Sequence, residues 1–414
     1  MKKTLKICFV LALFATIAAC GRKENGQLMG IMERPTWKNI NPYGMVYVPS
    51  GSFTLGQSDQ DIRRTYTQRP KTVSINGFWM DETEITNNEY RQFVYWVKDS
   101  IAHTMMDHSI EGDDGGTMLD WEQELDWTDE TLADLYYQGD DKFAGKKELN
   151  VSKMEYNYEE YDWVSAAHDR GKSVRNKFIK RRKTNIYPDT LVWIRDFAYS
   201  YNEPFTRNYF WHPAFDDYPV VGVNWHMANA FCFWRTKLWN TYRGTSKGDV
   251  NSEDFRLPFD AEWEDAARGS HANAPYPWGA YYTRNSKGCL LANFKPGRGN
   301  YPEDGGMYTV KADAYFPNDY GLRNMAGNVS EWTITAYSEN ARTFEHDLNP
   351  DIRYDAKDSD PIADKRKVIR GGSWKDVAHF IHNDVRHFEF QDTTKSYLGF
   401  RCALTFLGRS INDF

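Results

Sequence analysis

Between Arg256 and Gly269 the chain sets charge and large aromatic surface side by side: Arg256-Leu257-Pro258-Phe259-Asp260-Ala261-Glu262-Trp263-Glu264-Asp265-Ala266-Ala267-Arg268-Gly269. Arg256, Glu262 and Glu264 accompany Trp263, and Trp278 and Trp332 follow downstream. Charge that goes inside with such rings must be paired and hydrogen-bonded, because an unpaired buried ion costs several kcal/mol (roughly 3–5 when one partner is removed). The chain must therefore fold around internal ion pairs set among aromatics. It has the means: 15 Trp, 26 Tyr and 24 Phe supply large burial per residue. The glycines of Gly371-Gly372 and Gly399 suit close backbone approach or positive φ.

The first residues point to a compartment. Lys2, Lys3 and Lys6 precede an apolar run from Ile7 to Ala19, long enough for a signal peptide and too short for a stable membrane span. The run ends in Ile17-Ala18-Ala19-Cys20, a lipobox pattern. Residues 1–19 are expected to be a signal peptide, Cys20 the lipidated residue, and 20–40 a polar tether. Several acyl chains on one residue suffice for stable anchoring. Gly21-Arg22-Lys23-Glu24-Asn25 has no Asp beside the cysteine, which predicts the periplasmic face of an outer membrane. Past this segment no stretch approaches 18 apolar residues. A net charge of −7, together with export, argues against nucleic acid as a partner. Only Cys232, Cys289 and Cys402 remain, so one disulfide at most can form and at least one thiol is left over.

Gly44-Met45-Val46-Tyr47-Val48-Pro49 reads as a strand stopped by Ser50-Gly51-Ser52, with Phe53-Thr54-Leu55-Gly56 returning as its hairpin partner. Val73-Ser74-Ile75 and Gly77-Phe78-Trp79-Met80 read as further strands. Thr86-Asn87-Asn88-Glu89 carries capping chemistry for a helix whose apolar face is Tyr90, Phe93, Val94 and Val97. A second helix should run from Trp225 to about Trp239, with Ala228, Phe231, Cys232 and Trp234 inward. From about 105 to 215 the texture changes. Residues 107–162 interleave acids with Tyr and Trp, and the charge inverts from Arg170 to Lys183. This segment suits either a partner interface, where aromatics and Arg dominate, or an insertion packed on its own body.

Seven ordered blocks together resemble the formylglycine-generating-enzyme (sulfatase-modifying factor) family. They are Met45–Gly56, Met80–Tyr90, Pro219–Trp234, Arg256–Gly269 with Tyr276-Pro277-Trp278-Gly279, Gly321–Trp332, Arg370-Gly371-Gly372-Ser373-Trp374, and Leu398-Gly399-Phe400-Arg401-Cys402. The resemblance implies one loop-rich α+β, C-type-lectin-like domain over 41–414, carrying the insertion at about 105–215. It also implies copper held by two cysteines five residues apart after the Gly-Gly-Ser-aromatic turn, since thiolates suit Cu(I). The matching positions here are Asp376 and Ile381, so no copper and no catalytic residue are expected. His379, His382 and His387 lie nearby without a supporting carboxylate cluster and are expected to be packed or exposed rather than metal-binding. Structural calcium is a further implication. One site would use Asn324, the carbonyls of Gly327 and Val329, and Glu331. The other would use Asn293, the carbonyl of Phe294, Asp304 and the carbonyl of Gly306.

The tether, Asn41-Pro42-Tyr43-Gly44-Met45, the block Asp81–Val97 and the long insertion are similar to the GldK/PorK lipoproteins of type IX secretion and gliding machinery. That resemblance implies a non-catalytic ring subunit under the outer membrane, self-oligomerising and built with a GldN/PorN-type partner. The competing expectation is a periplasmic module that binds a peptide or glycan in a degenerate pocket.

Overall fold

The fold is read from a computed structural model that describes residues 40–57, 69–111, 117–196, 204–244, 251–303 and 306–408. The predicted signal segment, Cys20, nearly all of the tether and Asp304 lie outside the described residues. Among the described residues, no helix is long and apolar enough to cross a membrane. The architecture is α+β with many short strands joined by long loops.

Two small sheets organise the body. In the first, β1 (Met45–Val48) and β13 (Ala403–Thr405) flank β4 (Phe78–Asp81), both antiparallel. In the second, the order is β11 (His387–Phe390), β10 (Arg366–Arg370), β9 (Ser330–Ala336) and β12 (Leu398–Gly399), with β12 parallel to β9. The expected hairpin between the first two strands does not form. β2 (Gly51–Leu55) pairs with β3 (Lys71–Ile75) instead, and β1 pairs with β4. All four residues of β4 are buried, so it needs a partner on each edge, and β1 takes one of them. Pro49 has no N–H with which to continue the ladder.

Helix α1 (Asn87–Met105) starts as its cap predicts: Thr86 N donates to Glu89 Oε2 (2.8 Å) and Glu89 N to Thr86 Oγ1 (3.3 Å). Its Tyr90, Phe93, Val94 and Val97 are buried. Helix α2 (Trp225–Gly244) runs one turn past its expected end and buries Ala228, Phe231, Cys232 and Trp234. The two helices meet through rings, with Tyr90 stacked on Phe231 at 5.7 Å and Phe93 tilted against Trp234 at 5.2 Å. Phe400 stands edge-on to both Tyr90 and Phe231. The Cys232 and Cys402 sulfurs face each other at 3.4 Å as buried free thiols, and Cys289 is exposed.

The insertion folds onto the body. Its hairpin of β5 (Ser109–Glu111) and β6 (Thr117–Leu119) is short. The hairpin of β7 (Glu155–Tyr161) and β8 (Ile179–Asn185) pairs all seven residues of each strand. Tyr156 and Tyr158 of β7 turn inward, edge-on to Phe93 and stacked on Phe233. The acidic and basic runs neutralise one another across this ladder: Glu155 meets Lys183, Glu159 meets Arg181 and Glu160 meets Arg182 at 2.6, 2.9 and 2.9 Å. Lys180 and Arg182 also reach Asp355 in the body. Exposed pairs of this kind are worth about 0–1 kcal/mol each. Tyrosine burial therefore holds the hairpin, and the charges select its register.

The charge-and-aromatic segment forms helix α3 (Asp260–Arg268), which lies against β9 and β10. Asp260 takes ion pairs from Arg370, Arg342 and Arg386. Glu264 takes Arg268 at 2.7 Å and Arg370 at 2.8 Å, and Arg342 continues to Glu345 at 2.7 Å. All of these side chains are almost fully buried, as the sequence requires.

Candidate functional site

The loop from Asn324 to Glu331 enters β9 through three residues in left-handed backbone: Asn324 (φ 53°), Gly327 (φ 80°) and Asn328 (φ 63°). Asn and Gly are the residues that adopt this conformation at least cost. Asn324 Nδ2 donates to Glu84 Oε2 (3.0 Å) and to the Ala312 carbonyl (2.9 Å). Its Oδ1 is buried and has no hydrogen-bond partner among the described residues, an unusual condition for a buried polar atom. Glu331 accepts from Arg401 through both oxygens (2.8 and 2.7 Å) and from Trp263 Nε1 (2.7 Å).

A second loop lies directly beside the first. Asn293 and Gly327 form a parallel bridge, in which Asn328 N donates to the Asn293 carbonyl at 2.7 Å. Asn293 Nδ2 donates to the Tyr308 carbonyl (2.7 Å) and to Asn328 Oδ1 (3.2 Å). Its Oδ1 reaches over Gly306, close enough that a Cβ there would sit 2.5 Å away. Phe294 is buried with Tyr276, Leu290, Ala292, Ala326 and Ile381. The structure thus brings Asn293 to Gly306 and lays both loops against each other; Asp304 cannot be placed, being outside the described residues.

Between the loops stands a residue that sequence reasoning passed over. Glu84, fully buried in the connection from β4 to α1, accepts from Asn324 Nδ2 and, through its other oxygen, from Asn328 Nδ2 at 3.0 Å. Burial pushes its carboxyl up to about 8; Arg401 and the two amides oppose that rise, while Glu331 adds to it. In sequence Glu84 is one acid in a stretch that reads as the start of a helix. Only its distant neighbours, more than 200 residues on, set it apart.

The turn Gly371-Gly372-Ser373-Trp374 leads to Asp376 and Ile381, the two positions that the family resemblance sets against copper-binding cysteines. Asp376 Oδ2 accepts from Ser373 N (3.0 Å) and Ser373 Oγ (2.5 Å), closing a local turn. Ile381 is fully buried in the apolar cluster that holds Phe294. Gly372 lies against it: a Cβ there would meet Ile381 Cγ2 at 2.8 Å. Of the nearby histidines, His382 is buried with Nε2 3.1 Å from the Tyr276 hydroxyl. Burial, and then His379, lowers it to about 4, so it is neutral near pH 7. Among the described residues no three His, Cys, Asp or Glu side chains converge as a metal cluster. A small cavity lies elsewhere, lined by Pro188, Trp193, Tyr209 and Val221.

Comparison with known proteins matches residues 33–406 to the sulfatase-modifying factor enzyme 1-like domain. The formylglycine-generating enzyme of Mus musculus is 27% identical over 365 residues, covering 87% of this chain and 74% of that protein. The inactive Cα-formylglycine-generating enzyme 2 of Bos taurus is 33% identical over 193 residues, covering 45% of this chain and 50% of that one. Among solved structures, PvdO from Pseudomonas aeruginosa is similar with a TM-score of 0.50 at 15% identity, covering 87% of this chain and 94% of that one. At that identity the likeness concerns the fold alone.

Proposed function

From the premise that this chain belongs to the sulfatase-modifying factor enzyme 1-like family, we propose that it is a non-catalytic member: an outer-membrane lipoprotein, anchored at Cys20, that serves as a ring subunit of a GldK/PorK-type secretion and gliding machinery. One observation carries the non-catalytic reading. The two positions that the resemblance sets against copper-binding cysteines are an Asp engaged by Ser373 and an Ile sealed in an apolar cluster, and neither supplies a thiolate. The existence of an inactive relative is compatible with it. The structural role rests on the resemblance of the tether and insertion to GldK/PorK proteins. The insertion leaves Phe143, Trp163, Val164 and Val174 exposed, and these are the side chains it offers to a GldN/PorN-type partner or to a neighbouring copy.

Two measurements test this. Incubation with Cu(I) and a cysteine-containing sulfatase peptide is expected to leave no bound copper and no aldehyde product; stoichiometric copper or any aldehyde restores the enzyme. Gentle detergent extraction and affinity purification should bring out a large assembly holding a stoichiometric second protein. A monodisperse monomer without partner would instead favour the peptide- or glycan-binding module.

Calcium is the cofactor that the loops fit. Calcium takes hard oxygen donors in flexible geometry, and Asn324 Oδ1 is a buried oxygen with no partner among the described residues. Glu331 is buried beside it, paired with Arg401 through both oxygens. Asn324, the carbonyls of Gly327 and Val329, and Glu331 would hold one ion. Asn293, the carbonyl of Phe294, Asp304 and the carbonyl of Gly306 would hold the other. Each ion would tie backbone segments together, a structural contribution without chemistry. At free calcium a hundredfold above Kd, linkage adds about 2.7 kcal/mol for each site. Calorimetric melting should therefore shift upward in calcium relative to chelator, and an unchanged melting temperature removes calcium from the account.

A further inference from the structure

We propose that the tip of the β7–β8 hairpin docks on the acidic segment of a neighbouring copy of this chain, joining copies head to tail. This rests on the ring-subunit reading above and says which surfaces meet. The tip runs from Trp163 to Lys177, a short helix (Trp163–Asp169) and the turn after it. Trp163, Val164 and Val174 are 72, 65 and 77% exposed there. Arg170, Lys172, Arg175 and Lys177 are exposed beside them, and among the described residues none of the four makes an ion pair. The one acid of the tip, Asp169, is taken up by Ser173, whose N and Oγ donate to it at 2.6 and 3.0 Å. Cations alone would be an ordinary solvated face. A tryptophan set among arginines is the composition of a binding hot spot.

The complement lies on the same chain. From Asp120 to Asp141 there are nine Asp and Glu and no Lys or Arg. Among the described residues only Asp134 of these acids has an ion pair, with Lys153 at 4.0 Å. Glu122, Glu124 and Glu130 are exposed, and Trp121, 46% exposed and stacked on Trp96 at 5.3 Å, adds apolar surface. One copy cannot bring its own two surfaces together. Asn150 N donates to the Leu135 carbonyl (2.8 Å) and Asn185 Nδ2 to the Val151 carbonyl (2.7 Å), which holds the acidic segment at the base of the hairpin. Trp96 meets Tyr156 at that same end. The ladder from Glu155 and Asn185 to Tyr161 and Ile179 then carries the tip about 20 Å away. Tyr158 on Phe233 and Arg182 on Asp355 fix the ladder to the body, so the tip does not fold back. A contact between two unlike surfaces of identical copies is heterologous, and it closes into a ring when the rotation between copies allows.

The test is sedimentation of the detergent-extracted full chain with whatever it brings along, for the unaltered protein and four variants. Reversing the tip (Arg170→Glu, Lys172→Glu and Lys177→Glu) should disperse the assembly, and so should reversing the acidic segment (Glu122→Lys, Glu124→Lys and Glu130→Lys). Both sets together restore opposite charge across the contact and should restore the assembly, which a misfolded variant would not do. Trp163→Ala should weaken self-association roughly thirtyfold or more, the scale of a hot-spot tryptophan. If both single reversals disperse the assembly and the double one does not restore it, the two surfaces meet different partners and the proposal falls. An assembly that keeps its size and its second protein in every variant leaves the ring reading standing and overturns this contact. An unaltered chain that sediments as a monomer without partner removes both.

Discussion

Replacing Arg370 with methionine will destabilise the fold by about 3–5 kcal/mol, the range for breaking one side of a buried ion pair. Arg370 is 1% exposed and bonds Asp260, Glu264 (2.8 Å) and the carbonyls of Asn383 and Val385 (3.1 and 3.2 Å). The substitution leaves Glu264 to Arg268 and Arg342, leaves Asp260 to Arg342 and Arg386, and strands two carbonyls. Most domains have only about 5–15 kcal/mol in total, so urea unfolding should show a midpoint near collapse. A loss below about 1 kcal/mol would mean that the remaining arginines close over the gap. Acid should act on the same cluster. Burial alone would raise Asp260, but Arg370, Arg386 and Arg342 outweigh it and hold its carboxyl well below the usual range. Glu264 is lowered in the same way, with Arg268 foremost among the opposing charges. Depressed carboxylates contribute stability that is present above their unfolded values and lost as pH falls through the folded ones. Arg370→Met should therefore flatten the acid limb of the stability profile as well as lower it.

Gly327→Ala is expected to cost about 2–5 kcal/mol: roughly 1–2 for an L side chain in left-handed backbone and 1–3 for forced overpacking. The added Cβ would sit 2.3 Å from the Asn293 carbonyl oxygen, with backbone on both sides of the clash and no flexible side chain to give way. Relief requires the Asn328-to-Asn293 hydrogen bond to break, which parts the two loops. Thermal melting with and without calcium reads both effects. Gly288→Ala, also at positive φ but facing open space, is the control that carries the backbone cost without the collision.

What was legible in the sequence were local rules and a few global demands. The capping pair Thr86 and Glu89 marked the start of α1, and the mixture of Trp263 with Glu262, Glu264 and Arg256 demanded internal ion pairs. What was hidden depended on long-range partners. Ser50-Gly51-Ser52 reads as a hairpin turn, yet β1 leaves it for β4, because a strand buried along its whole length outcompetes a neighbour. The basic run ending at Lys183 reads in sequence only as an inversion of charge; its acidic partners lie across the ladder on β7. Position 376 could be counted from the Gly-Gly turn, but its hold on Ser373 could not. Glu84 was invisible for the same reason: nothing within ten residues of it explains why an acid should be buried there.

The end of the described chain closes both sheets. β12 completes the edge of β9 and β13 completes the edge of β4, while Phe400 and Arg401 between them fill the aromatic core and neutralise Glu331. A polypeptide emerging N-terminus first, from a ribosome or from any channel, must therefore wait for residue 399 before the second sheet has its last strand and for residue 405 before the first does. Contacts spanning more than 300 residues make that closing step slow. Until then the chain stays open to chaperones and can be threaded; afterwards it is locked. Maturation is thus timed by the arrival of a short terminal segment, and a chain stopped before Leu398 should be a target for proteolysis, not a smaller folded protein.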